Sequence, residues 1–186
     1  GGLVGTNRGT VIASSVTGTV SGSGPVGGLV GDNRGTVTES YAISTVLGSP
    51  DDVEIQREFD TVGGLVGFNG GKLTTSYATG TVTGKNTLTG GLVGENNDTL
   101  TESYAIGTVS EVSDGSAGGL AGLNSGEVTN SYWDRGTTNQ SDAIGSGTGT
   151  NPTGFGSVGV DEPAANMTGN EALAGGHMDA PNHRGW

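Results

Sequence analysis

Gly-Gly-Leu-Val-Gly-x-Asn begins at Gly1, Gly27, Gly63 and Gly90, and returns as Gly-Gly-Leu-Ala-Gly-Leu-Asn at Gly118. Each copy runs on into a second block, complete in residues 27–46 as GGLVGDNRGTVTESYAISTV. A unit this short cannot bury an apolar face alone, so its repetition predicts a stack in which neighbours cover one another. Successive starts lie 26, 36, 27 and 28 residues apart, while the first twenty positions hardly change length. A coil of constant length is therefore predicted, with insertions looping out of one side.

Numbering each unit from its first Gly gives columns. Position 7 is Asn in all five units (Asn7, Asn33, Asn69, Asn96, Asn124) and position 14 is Ser in all five (Ser14, Ser40, Ser76, Ser103, Ser131). Position 11 is Val or Leu, and positions 16 and 20 are small or apolar in the first four units. Positions 16, 18 and 20 share a parity, so on a strand they face one way, inward, and Thr19, Thr45, Thr81 and Thr108 face out. The Tyr row (Tyr41, Tyr77, Tyr104, Tyr132) has the outward parity, or covers a corner.

Helix fits poorly. Thirty-nine of 186 residues are Gly, each costing up to about 1 kcal/mol inside a helix, while Val and Thr favour strands. Gly stands two residues before the Asn at position 7 in every unit and two residues after it in four of them, which predicts a turn with a residue near the left-handed region. In stacked coils the five Asn amides would form a ladder, each bonding to the next. The Ser hydroxyls are expected to do the same. The fold expected is all-β: one parallel β-solenoid of about five coils over residues 1–137, followed by an irregular tail.

Only 31% of residues are hydrophobic and 5% aromatic, enough for a narrow solenoid core. Nineteen acidic against seven basic residues give a net charge of −12. Such a surface repels nucleic acid and anionic membranes. It suits either ordinary solubility or a high-salt medium, where screening shortens to roughly 3 Å at 1 M. The absence of Cys excludes disulfides and thiolate metal sites. No signal peptide or transmembrane run is visible. Residue 1 is Gly, in register with the repeat, which leads us to expect a processed product or a piece of a longer chain.

With these columns in place, GGLVGxNxGxVxxSYAxGTV resembles the GLUG motif, named for Gly-Leu-any hydrophobic-Gly. The resemblance covers residues 1 to about 137. It extends into Asn130-Ser-Tyr-Trp-Asp134, which is similar to the way such arrays close, and Met167 to Leu173 is similar to a segment that often follows. Similar arrays occur in filamentous adhesins, in accessory regions of immunoglobulin-A-cleaving metallopeptidases and in haloarchaeal surface proteins. The resemblance implies a β-solenoid in an extracellular or cell-surface protein, and no activity for the motif. No H-E-x-x-H is present. This chain departs from the pattern at Ser15 in place of Tyr, at Ser44 in place of Gly, and at Trp133 where a small residue sits elsewhere. Trp133 is a candidate end cap, since terminal repeats are usually atypical.

Candidate sites fall mostly outside the columns. The insertion of residues 47–62, LGSPDDVEIQREFDTV, carries Asp51, Asp52 and Glu54, which are candidate oxygen ligands for Ca²⁺ or simply a solvated acidic loop. Asp32, Glu39, Glu95, Glu102 and Glu127 are the carboxylates to weigh for a glycosidase pair, which needs separations of about 5–10 Å. They are scattered, and no enzyme activity or cofactor is expected. His177 and His183 lack a third defined zinc ligand. Asn97, Asn139 and Asn166 fit the N-glycosylation sequon. The tail, residues 138–186, loses the period. A short helix near residues 169–173 and anchors at Phe155, Met167 and Leu173 are expected there.

Three functions are consistent with this reading. The first is a non-catalytic structural or adhesive module of a surface protein. The second is a filament subunit whose open coil ends meet head to tail, because unpaired strand edges associate unless covered. The third is a carbohydrate-binding or carbohydrate-active β-helix. Expected partners are the rest of the parent chain or identical subunits at the open end, and surface glycans.

Overall fold

The computed structural model describes residues 1–48 and 60–149, and the backbone of residues 157–158. It is a parallel β-solenoid of about five turns with four sheets along its sides. Sheet A takes positions 4–7 of each unit: β1 (Val4–Asn7), β5 (Val30–Asn33), β9 (Val66–Asn69), β14 (Val93–Asn96) and β19 (Ala121–Asn124). Sheet B takes positions 10–12: β2 (Thr10–Ile12), β6 (Thr36–Thr38), β10 (Lys72–Thr74), β15 (Thr99–Thr101) and β20 (Glu127–Thr129).

Sheet C is the widest. It holds β3 (Ser15–Gly22), β7 (Tyr41–Gly48), β11 (Tyr77–Ala78) with β12 (Val82–Gly84), β16 (Tyr104–Ala105) with β17 (Val109–Glu111), and β21 (Tyr132–Asp134). Sheet D closes the coil with β4 (Val26–Gly27), β8 (Asp60–Gly63), β13 (Thr87–Gly90) and β18 (Ser116–Gly118). In the motif columns like pairs with like: Asn69 is in register with Asn33 and Asn96, Leu73 with Val37 and Leu100, and Ala78 with Ala42 and Ala105.

The alternation expected for positions 16–20 is what places the core. Ala42, Val46, Ala78, Val82, Ala105 and Val109 are buried, while Thr19, Thr45 and Thr81 are exposed. Between sheets A, B and C, the Leu column at position 3 meets the Val and Leu column at position 11. A smaller cluster, Val26, Val46, Val62 and Val82, fills the space between sheets C and D. The second Gly of each unit makes the interior narrow. A Cβ on Gly28 or Gly64 would lie 2.8 Å from the Cβ of Ala42 or Ala78, and one on Gly91 would lie 3.0 Å from Ala105, closer than apolar carbons pack.

The units differ in length between sheets C and D, where the described segments are as short as residues 85–86 and 112–115. The long insertion of unit two falls at this corner. Its flanks are ordered as strand, with Leu47 and Gly48 ending β7 and Asp60–Val62 opening β8; residues 49–59, with Asp51, Asp52 and Glu54, lie outside the described residues.

Two expectations are corrected, one of a turn and one of where the coil ends. The left-handed residue is not Asn at position 7, which ends a sheet A strand in every unit. It is position 13, at the corner between sheets B and C: Ala13, Glu39, Thr75, Glu102 and Asn130 all have φ between 47° and 51°. Five different residues accept this strained conformation because the coil-to-coil bonds on either side of the corner impose it. The loss of period after residue 137 does not end the coil either. A short helix, α1 (Arg135–Thr138), is capped by Asp134, whose Oδ1 accepts from the Gly136 N–H at 2.8 Å. Then β22 (Ile144–Gly147) adds a sixth strand to sheet A, and β23 (Ser157–Val158) pairs with β21. Ladder bonds come from the backbone, so a strand joins the stack without carrying the motif. Ala143 and Ile144 stand where Leu and Val stand in the repeats. Phe155, Met167, Leu173 and the 169–173 segment lie outside the described residues.

Candidate functional site

The residues constant in every unit form two hydrogen-bonded columns inside the wall. Asn7 Nδ2 donates to Asn33 Oδ1 at 2.8 Å, Asn33 to Asn69 at 2.8 Å, Asn69 to Asn96 at 2.7 Å and Asn96 to Asn124 at 2.8 Å. The second amide hydrogen of Asn7, Asn33, Asn69 and Asn96 goes to the position 10 carbonyl of the following coil, for example Thr99 O from Asn69 at 3.2 Å. In Asn7, Asn33 and Asn124, Oδ1 also accepts from the backbone N–H two residues on. These capacities are spent on structure, and the column has one direction, amide toward the later coil.

The Ser column works differently from the expected hydroxyl ladder. Each Oγ donates to its own carbonyl two residues back, as Ser76 does to Thr74 O at 2.7 Å. The oxygen then accepts the backbone N–H of the preceding unit's Ser: Ser14 to Ser40, Ser40 to Ser76 and Ser76 to Ser103 at 3.1 Å each, and Ser103 to Ser131 at 3.3 Å. At this corner the backbone N–H points along the stack with no carbonyl opposite it, and the hydroxyl supplies the acceptor.

The Tyr row stacks ring on ring. Tyr41 and Tyr77 are 4.9 Å apart between centroids and 6° from parallel; Tyr77 and Tyr104 are 4.9 Å and 2°. Tyr77 is buried despite its outward parity, because its neighbours cover both of its faces. Burial, and then the adjacent ring, push the Tyr77 and Tyr104 phenols above their ordinary value.

Trp133 takes the position 16 place of the fifth coil, in register with Ala105. It is buried among the core residues, lies against the backbone of Gly119, and donates from Nε1 to Gln140 O at 3.0 Å. It fills the last full coil from within, and β22 and β23 run on beyond it.

Three of the scattered carboxylates have separate neighbours. Asp32 pairs with Arg34 at 2.9 Å, Glu95 accepts from Asn97 at 2.7 Å, and Glu102 accepts from Thr75 at 3.3 Å. Arg34 also lies over the Phe68 ring, 4.8 Å from its centroid. One polar cluster escaped sequence reasoning. Glu111 Oε2 accepts from Thr87 Oγ1 at 2.9 Å and Thr89 Oγ1 at 2.6 Å, and its Oε1 accepts from the Asn86 N–H at 2.6 Å. No pattern in the sequence points to it, since Val26 and Val62 occupy the place of Thr89 in earlier coils.

Asn97 and Asn139 are exposed, Asn139 at φ 57°; Asn166, His177 and His183 lie outside the described residues. Among the described residues no three His, Asp or Glu gather as a metal set, and no helix is long and apolar enough to cross a membrane.

The charges are unevenly placed. Sheets A and B present Asp32, Glu95, Lys72 and Glu127, and the corner between B and C presents Glu39 and Glu102. Sheet C differs. Residues 15–21, 41–47, 77–83 and 104–110 contain no charged side chain. This signal is legible in the sequence, although alternation by itself marks only which residues point inward.

Residues 61–83 match the family model described as the GLUG motif. They make one complete turn, from within β8 through β9, β10 and β11 into β12. A 59-residue stretch is 51% identical to Halomucin of Haloquadratum walsbyi, covering 31% of this chain and 1% of that protein. No solved structure matches this chain.

Proposed function

We propose that this chain is a non-catalytic structural module of a cell-surface protein, one stretch of a longer repeat array that spaces or presents other parts. The observation carrying this reading is the use made of the repeat-constant polar groups. The Asn amides and Ser hydroxyls are consumed by coil-to-coil bonds, which leaves the repeat itself as scaffold. The GLUG match and the similarity to Halomucin support a surface location, and the net charge of −12 suits solubility in concentrated salt. No cofactor is proposed. If the insertion holds Ca²⁺, the melting temperature will fall on chelation.

An adhesive role is the finer form of this proposal. It is tested by coating beads with purified chain and counting those that attach to cells of its own source. Antibody labelling of intact cells should decorate the surface; labelling that appears only after lysis would overturn the surface reading. End-to-end assembly through strand edges is the alternative reading, and light scattering that shows a strict monomer at high concentration would remove it. Glycan binding has less support, because the Tyr rings present their edges rather than the open faces on which sugars stack. Binding on a glycan array would restore it.

A further inference from the structure

We infer that sheet C is a lateral docking face for a second copy of this chain, so that solenoids associate side by side as well as end to end. The inference stands on the charge distribution and does not depend on where the protein resides.

Two copies carrying −12 each repel one another, and an approach through sheets A or B brings together faces that carry Asp32, Glu95 and Glu127 with Lys72 and Arg34. Over residues 15–21, 41–47, 77–83 and 104–110 sheet C has no charge to oppose, and Glu111, at the end of β17, has the inward parity and is held by Thr87 and Thr89. Its first two coils are continuous, β3 and β7 pairing over all eight residues without a bulge, and in the next two the strand is interrupted between β11 and β12 and between β16 and β17. It is also apolar enough to gain from being covered: Ile43 is 49% exposed and Leu47 39%, amid a Thr column whose members Thr19, Thr45 and Thr81 are open to solvent. Two such faces can pack as the sheets of a sandwich do, about 10 Å apart, with the same surface contributed by each partner.

Seven residues along each strand and four strands across give roughly 23 Å by 19 Å, or about 450 Å² per partner. That falls near the lower limit of roughly 1,000 Å² in total for a stable interface, so the association is weak and reversible. Its salt dependence is diagnostic. Glu39 and Glu102 flank the face, and their repulsion is screened as the Debye length falls from about 10 Å at 0.1 M to about 3 Å at 1 M. Ion-pair interfaces loosen in salt, whereas this one should tighten.

The test is analytical ultracentrifugation of the full chain up to 1 mM in 0.1 M and 3 M KCl. A reversible dimer at least tenfold tighter in 3 M KCl is expected. Thr45→Glu with Thr81→Glu should weaken it at least tenfold. Thr6→Glu with Thr36→Glu adds the same charge to sheets A and B and should change it less than threefold. Circular dichroism verifies that each variant is folded. The chain has no cysteine, so a spin label on Thr45→Cys reports the face directly, and labels in the dimer should lie within 30 Å of each other. A chain that stays monomeric at 1 mM in 3 M KCl overturns the proposal. So does equal weakening by both pairs of variants, or a dimer that loosens in salt. Neutral oligosaccharide shifting the sheet C resonances of a strictly monomeric chain would also overturn it, by assigning the face to a sugar.

Discussion

Asn69 donates its side-chain amide to the side-chain oxygen of Asn96, 2.7 Å away and 27 residues on in the chain, with both residues fully buried. The bond is one rung of a column and cannot be removed alone. Replacing Asn69 by Ala also strips Asn33 of its acceptor and Thr99 O of a donor. Buried groups left without partners cost about 1–3 kcal/mol each. Asn69→Ala should therefore lose about 2–4 kcal/mol in urea unfolding, and Asn7→Ala, at the end of the column, about 1 kcal/mol. Equal losses would show that the column is not what holds these coils together.

Thr75 sits at φ 49°, where a β-branched residue is strained by its Cβ. Asn130 occupies the same position of unit five, and Asn tolerates this region. Thr75→Asn should raise stability by about 0.5–1 kcal/mol. Thermal unfolding measures it, and a lowered midpoint would mean that the Thr75 hydroxyl bond to Glu102 matters more than the strain.

In the sequence, position 13 varies and carries no other signal. Ala, Glu, Thr, Glu and Asn share no property that announces a left-handed turn, whereas the Asn at position 7, with Gly two residues away, invited that assignment and proved to be strand. Stacking overrode local preference. The inward row was legible because alternation is a property of a single strand. The partner of the Ser hydroxyl was not, because it depends on how one coil is offset against the next.

Gly91 and Gly5 are both motif glycines in unlike surroundings. A Cβ on Gly91 would overlap the Gly119 carbonyl and lie 3.0 Å from Ala105, while one on Gly5 meets nothing within 4 Å. Gly91→Ala should cost about 1–3 kcal/mol through overpacking, and Gly5→Ala should stay within about 0.5 kcal/mol. The difference between the two urea midpoints is the readout, and equal costs would contradict the packing described here.

Tyr77 and Tyr104 hold their protons more tightly folded than unfolded, because burial disfavours phenolate. The folded chain thus binds more protons above pH 10, near the ordinary phenol value, and stability must fall as pH rises through that region. Below pH 10 these groups contribute no slope. Replacing both by Phe should flatten the alkaline loss, measured by thermal unfolding between pH 8 and 11.5. An unchanged slope would place its origin elsewhere.

The amino-acid sequence alone determined the period, the strand character, the inward row and the Asn column, since each follows from spacing and side-chain chemistry within one unit. Tertiary structure decided what each copy of a residue is worth. Leu3 and Leu92 hold the same place in the same motif, yet one is 53% exposed and the other fully buried. Gly5 and Gly94 likewise share position 5, yet a Cβ on Gly5 meets nothing within 4 Å while one on Gly94 would overlap the backbone of Val62 and Gly67; the uncharged stretches, too, become a face only when sheet C sets them side by side. The reason is physical. In a stack, burial, strain and contact come from the adjacent coil, which lies one ladder spacing away in space and 26 to 36 residues away in the chain.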